Sequence, residues 1–297
     1  MLQIFLGAIS LGLLWAIITI GVFISYRILT IADLTVEGSI VTGAAIAASA
    51  ITRGINSFAA IGLAFVGGLI AGLITGLLHT QLKIPSLLSG ILTMIALYSV
   101  NLRIMGKANI SLLRMRTSYS MLESSGLDHN TAVIIIGIIF VGCIIGILYW
   151  FFGTEIGCAI RATGDNPQMA RAQGINTNVS IILGLMLSNG LVAVGGALIA
   201  QSQSFADIQM GIGSIVIGLA SVIIGEVLFG RGNFLSKLIS LVLGAITYRI
   251  IIALVLKLGM PANDLKLFTA ITVAIALALP IFRSYLKPIK KSIKNGD

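Results

Sequence analysis

Long apolar runs broken by short polar intervals organise this chain. Nine runs are long enough to cross a bilayer: about 3–25, 34–52, 58–80, 85–105, 131–152, 179–201, 212–230, 235–256 and 265–286. A helix rises 1.5 Å per residue, so about 20 residues span the hydrocarbon core. The second run is the least regular. Asp33, Thr35, Glu37 and Gly38 crowd its start, which predicts a broken or partly re-entrant helix. Irregular backbone at membrane depth persists only where protein or water covers it. The longer polar intervals are 106–130, 153–178 and a basic tail, 287–297.

Composition fixes the class. Of 297 residues, 57% are hydrophobic and 10% charged, with a mean hydropathy of +1.07. Soluble domains average about 25% charged residues. A secreted enzyme, a nucleic-acid-binding domain and a disordered chain are excluded. The expected fold is all-α, a polytopic membrane helix bundle forming one domain over 1–297, with lipid as its surroundings.

The net charge of +9 then reads as topology rather than as nucleic-acid affinity. Lysine and arginine accumulate on the cytoplasmic side of bacterial membrane proteins. Nine spans put the termini on opposite sides. With the tail inside, eleven basic residues lie inside, among them Arg27, Lys83, Arg161, Arg171, Arg231 and Lys237, and seven outside. This favours N-out, C-in. The tail is expected against the anionic inner leaflet. The glycines fall inside spans, as at Gly68, Gly72, Gly76, Gly190, Gly195 and Gly196, where small residues let helices approach closely.

No CxxC, HExxH or GxxxxGK[ST] motif is present. No catalytic residue, metal site or cofactor is expected on this chain.

The most patterned polar stretch is 153–178. Thr154 suits a helix N-cap, with Glu155 in the first turn. Gly164 is expected to interrupt, with Asp165 beside it. Asn166 suits a second N-cap, with Pro167 at the first helical position, Arg171 in the last turn and Gly174 as terminator. The spacing predicts two short capped helices with a sharp break. Such a rigid knob transmits a push where a floppy loop would not.

A few polar groups lie at membrane depth, where a charge costs at least about 2.5 kcal/mol. Asp33 and Glu37 are four apart and would share a helical face, where like charges repel; they read either as a polar lining of a path or as partners of Arg27 or another cation. Glu226 reads as a local pair with Arg231. Arg249 reads as snorkelling outward, bonding backbone carbonyls, or meeting a solute carboxylate. Thr93, Tyr98, Asn101 and Asn189 are further lining candidates, or interhelical hydrogen bonds.

The run 161–175, RATGDNPQMARAQGI, resembles the cytoplasmic coupling loop of ABC importer permeases of the branched-chain amino acid and ribose class, with their R-A-x-G-x-N-x-x-A-x-x-x-G-I pattern. Arg161, Ala162, Gly164, Asn166, Ala170, Gly174 and Ile175 match it. The segment 31–45 is similar to that family's N-A-H-G-x-x-x-x-x-G-A segment through Gly38, Gly43 and Ala44, and the stretch from Ile84-Pro85-Ser86 to Leu97 resembles its fourth-span entry. Where the family has a glycine-rich run, 223–233 carries Glu226, a departure that suggests a side branch of the aromatic amino acid type.

The resemblance implies a type II importer-like permease in a bacterial cytoplasmic membrane. It implies a second permease copy, a homodimer by preference, a cytoplasmic ABC ATPase dimer that binds ATP and Mg, and an extracytoplasmic solute-binding protein. Loop 154–175 would couple, 106–130 would receive the binding protein through Arg114 and Arg116, and an amino acid, a sugar or a nucleoside would be the solute. The alternatives are an ion-gradient-driven secondary transporter using Asp33 and Glu37, and a non-transporting scaffold.

Overall fold

A computed structural model describes residues 2–124, 126–230 and 232–257, together with positions 267, 270, 271, 274 and 278. The ninth run, 265–286, the tail and Arg231 lie outside the described residues, apart from those five positions.

In chain order the elements are α1 (Leu2–Phe23), a π-turn (Ile24–Ile28), α2 (Thr35–Thr52), α3 (Ser57–Thr80), α4 (Ser86–Met105), β1 (Asn109–Ser111), α5 (Ser120–Glu123), α6 (His129–Phe151), α7 (Glu155–Asp165), α8 (Pro167–Ala172), α9 (Thr177–Gln203), β2 (Phe205–Asp207), α10 (Ser214–Phe229) and α11 (Phe234–Lys257). Among the described residues, seven helical segments are long and apolar enough to cross a membrane, and α10 is a shorter apolar helix. The observed bounds lie within a few residues of the eight runs they can be compared with.

Helices α1, α2 and α9 are buried along most of their length, while α3, α4, α6 and α11 bury one face and expose large apolar side chains on the other. Exposed Phe58, Val66, Ile70, Ile74 and Leu77 on α3 form such a face. An apolar exterior around an apolar core suits a bundle bathed in lipid.

Glycine makes the centre possible. A Cβ at Gly43 would collide with the carbonyl oxygen of Ala193, at Gly196 with that of Ile40, at Gly68 with that of Asn189, and at Gly72 with that of Leu185. Helix α9 therefore meets α2 and α3 backbone to backbone. Side-chain entropy cost is nil at these positions, and dispersion accumulates over the whole contact.

Three expectations change. First, α2 is unbroken from Thr35 to Thr52. The irregular backbone precedes it. After the π-turn the chain carries Thr30 at φ 56° and climbs through Asp33 into the bundle. Second, the α4–α5 connection is not a plain loop. Strands β1 and β2 pair antiparallel, with Asn109, Ile110 and Ser111 opposite Asp207, Ala206 and Phe205. Third, the run 212–230 yields a helix of only 16 residues. Its first turn lies beside α2, because the backbone N–H of Gly213 donates to Glu37 Oε1 at 2.9 Å. Thus both α2 and α10 begin inside the bundle, and in each case surrounding helices cover the non-helical backbone that leads in.

Candidate functional site

The 153–178 stretch forms a helical hairpin at one end of the bundle. Thr154 Oγ1 accepts from Gly157 N at 3.4 Å and caps α7. Asn166 Oδ1 accepts from Gln168 N and Met169 N at 3.1 and 3.0 Å and caps α8, with Pro167 at its first position. Gly174 adopts φ +83°, which favours glycine, and turns the chain out. Arg171 Nε donates to Thr177 Oγ1 at 2.8 Å and ties the hairpin to the start of α9. Glu155 and Asp165 are exposed.

Gly164 does not interrupt the helix. It lies in the last turn of α7, buried, and a Cβ there would collide with the carbonyl oxygen of Ile28. Its role is close approach: α7 sits directly on the π-turn that ends α1. Thr30 Oγ1 lies 3.4 Å from the Gly164 carbonyl on the same contact. The break between the two short helices falls instead at Asn166, in extended conformation at φ −150°.

The π-turn also carries Arg27, whose Nε meets Glu226 Oε1 at 2.9 Å near the end of α10. Glu226 therefore pairs across the fold with Arg27, 199 residues away in sequence. The expected local pair with Arg231 lies outside the described residues, and Arg27 is not the partner of Asp33 or Glu37. A cavity of about 1050 Å³ opens here between the π-turn, α7, α10 and α11, lined by Arg27, Arg161, Asp165, Glu226 and Lys237 among others.

Deeper in, polar side chains from four helices join in one buried set. Asp33 Oδ1 accepts from Thr35 N, the first amide of α2, at 2.9 Å. Asp33 Oδ2 accepts from Asn189 Nδ2 at 2.7 Å. Asn189 Oδ1 accepts from Ser39 Oγ at 2.7 Å. Thr35 and Thr75 hydroxyls lie 2.7 Å apart, and Thr75 donates to Thr93 at 2.9 Å. Asn189 stands midway along the 27-residue α9, so this set lies at mid-depth. A carboxylate at a helix N-terminus with an amide partner needs no cation to be held there.

Asp33 and Glu37 therefore do not share a helical face. Asp33 precedes α2, and Glu37 points to the N-terminus of α10. Two helix starts separate two acids, and the expected repulsion is relieved by a dipole on each. Asn101 Nδ2 donates to Gly38 O at 3.3 Å, on the α4 face shared with Thr93 and Leu97. Tyr98 is off that face and exposed. Of the lining candidates, Asp33, Thr35, Thr93 and Asn189 are thus joined directly, Glu37 and Asn101 flank them, and Tyr98 stands apart. Sequence reading missed Ser39 and Thr75; in α3, Thr75 continues the Gly68, Gly72 face at helical spacing, the one usable signal.

Arg249 neither snorkels nor bonds a carbonyl through Nε. Its guanidinium lies 4.3 Å over the Trp15 ring, with Nε buried and without a hydrogen-bond partner. A cation over an indole face gains attraction from the ring quadrupole.

At the opposite end of the bundle the 106–130 segment is pinned. Gln201 Oε1 accepts from Ser118 N and Oγ at 3.0 and 2.9 Å, and Tyr119 OH donates to Leu198 O at 3.2 Å. Burial pushes the Tyr119 phenol up from its ordinary value. Arg114 and Arg116 remain exposed, and His129 Nδ1 lies 2.6 Å from Glu123.

Residues 4–279 match the family described as branched-chain amino acid transport system, permease component. A tyrosine transport system permease protein of Clostridioides difficile is 40% identical over 92% of this chain and 90% of its own length. The autoinducer 2 import system permease protein LsrC of Salmonella typhimurium is 28% identical over 66% of this chain and 55% of its own. PsaBC from Streptococcus pneumoniae aligns at TM-score 0.38 and 18% identity, covering 84% and 88%, too distant to carry an argument. A hairpin on a bundle of apolar helices and a family match across nearly the whole chain agree: this is a multi-pass protein of the bacterial inner membrane and belongs to the branched-chain amino acid-type ABC importer permeases.

Proposed function

We propose that the chain, as a pair of identical copies, forms the translocation path of an ATP-driven importer for an aromatic amino acid such as tyrosine. The N-terminus lies outside, and α7–α8 faces the cytoplasm. An extracytoplasmic binding protein delivers the solute to the end that carries β1, β2, Arg114 and Arg116. A cytoplasmic ATPase dimer, holding ATP and Mg, engages the hairpin. The similarity to a tyrosine system permease supports the solute class.

The observation that carries the coupling is the contact of Gly164 with Ile28 O. Displacement of α7 has no soft side chain in which to dissipate. It passes to the π-turn, and from there to α1 and, through Arg27 and Glu226, to α10. Thr154, Asn166, Pro167 and Gly174 hold the hairpin's shape, and Arg171 fixes it to α9, so both neighbouring spans receive the push. Glu155, Asp165 and Arg161 complete its charged surface.

At mid-depth, Glu37 supplies the path with a carboxylate that is only half-buried, fit to meet the ammonium of an amino acid. Asp33, Thr35, Thr93, Asn101 and Asn189 shape the wall behind it.

The test is uptake into proteoliposomes holding the permease, its ATPase and its binding protein. Gly164→Leu is expected to leave ATP hydrolysis running while tyrosine uptake falls at least tenfold. Uptake retained at the wild-type rate, or uptake that needs no ATPase, overturns the reading.

A further inference from the structure

We infer that the permease holds an anionic phospholipid headgroup between α6, α7 and α11, against Arg161 and Lys237. A groove of about 370 Å³ runs between the end of α6 and the start of α11, bounded by Tyr149, Trp150, Phe152, Arg161 and Phe234. The Phe152 and Phe234 rings pack at 5.2 Å and form its floor. The Arg161 guanidinium lies 5.3 Å over the Phe234 ring. Arg161 and Phe234 also line the larger cavity, as does Lys237.

Three observations point to one ligand chemistry. Among the described residues the ion pairs are Arg27–Glu226 and His129–Glu123, so Arg161 and Lys237 are in no ion pair; Asp165 and Glu226 share their cavity, and Glu226 is held by Arg27. A guanidinium over a ring face makes no hydrogen bond to that ring, and its N–H donors match phosphate oxygens. Trp150 and Tyr149 are 71% and 55% exposed at the end of a span, where amphipathic rings mark the level of lipid headgroups. A phosphate at Arg161 thus sits at headgroup level, with the apolar flank of α6 beside it for an acyl chain. Basic pockets between spans commonly take anionic headgroups. A soluble phosphate ester would share the charge contacts but would leave the aromatic flank uncovered. The groove includes no residue of α8, and the inference does not depend on which solute is carried.

The test uses the full chain in phosphatidylcholine vesicles and reads binding, not uptake, so its failure leaves the transport reading standing. The chain has two tryptophans, and Trp15 is buried under Arg249, so a lipid-borne quencher reports chiefly on Trp150. A small fraction of brominated phosphatidylglycerol is expected to quench several-fold more than the same fraction of brominated phosphatidylcholine. Arg161→Gln with Lys237→Gln is expected to bring the two lipids level, and Arg161→Lys to retain the difference. Where the double variant fails to reconstitute, Arg161→Gln alone should reduce the excess by at least half. Equal quenching by both lipids in the unaltered protein, or an undiminished excess in the glutamine variants, overturns the inference. Relief of the excess by added glycerol 3-phosphate would assign the groove to soluble phosphate esters and overturn it also.

Discussion

Arg27 on the π-turn and Glu226 on α10 meet at 2.9 Å across 199 residues of sequence, joining the end of the first span to the end of a later one. The Arg27 side chain is 59% exposed, so the pair adds little to stability; exposed pairs contribute about 0–1 kcal/mol. Under the coupling proposed above, its value lies in transmission. Arg27→Glu is expected to lower uptake severalfold while the melting temperature in detergent moves little. The swap Arg27→Glu with Glu226→Arg should recover part of the uptake. A swap no better than either single change would dissociate this pair from coupling.

The buried set around Asp33 predicts the opposite profile. Asp33→Ala leaves Thr35 N and one of the two Asn189 Nδ2 hydrogens without an acceptor at mid-depth, the other keeping Leu185 O. Each orphaned group costs about 1–3 kcal/mol. Thermal unfolding should shift down markedly, and Asn189→Ala, which also strands Ser39, should do likewise. Thermal stability equal to wild type in both would mean that water reaches this set.

Glu37→Gln separates charge from shape. A glutamine carbonyl still accepts from Gly213 N, so the fold and ATP hydrolysis are expected to persist. Loss of the carboxylate should raise the solute concentration needed for half-maximal uptake about tenfold for an amino acid with a free ammonium. Uptake kinetics of the variant against wild type settle the point.

Tyr119 gives a pH signature. Its phenol is buried and bonded as a donor to Leu198 O, and burial raises its pKa above the ordinary value of about 10. The unfolded chain releases this proton first, so stability is fully present below about pH 10 and falls as pH rises beyond it. Tyr119→Phe is expected to lose about 1 kcal/mol at neutral pH and to flatten that alkaline fall. Melting curves between neutral and strongly alkaline pH check both.

Arg114 and Arg116, exposed at the ribbon end, predict a charge-dependent docking surface. Reversing both to glutamate should weaken association with the binding protein, more so at low salt. Unchanged affinity in surface plasmon resonance would move the docking surface elsewhere on that end.

Apolar run length and capping rules made much of this fold legible. Apolar runs located eight described helices to within a few residues, and Thr154, Asn166, Pro167 and Gly174 spelled out the hairpin through local chemistry alone. What escaped was set by contacts distant in sequence. Gly164 looked like an interruption because its reason, the Ile28 carbonyl, lies in another helix. Asp33 and Glu37 looked like a repelling pair because a four-residue spacing implies one helix, whereas the helix begins between them. The partner of Glu226 required knowing that the first and later spans end side by side. The ribbon β1–β2 is three residues per strand, too short for an alternating pattern to register.

The shortness of α10 has a consequence for how the protein is made. Sixteen residues reach about 24 Å, less than the hydrocarbon thickness, and the backbone leading into Gly213 is not helical. Such a segment partitions poorly when it leaves the translocation machinery alone. Gly225 and Gly244 let α10 and α11 touch backbone to backbone, so the two can enter as one hairpin against α1 and α2 already in place. Ordered insertion is therefore the expected outcome, with the early spans as the template for the late half-span; α10 and α11 inserting equally well without α1 and α2 in a translocation assay would overturn it.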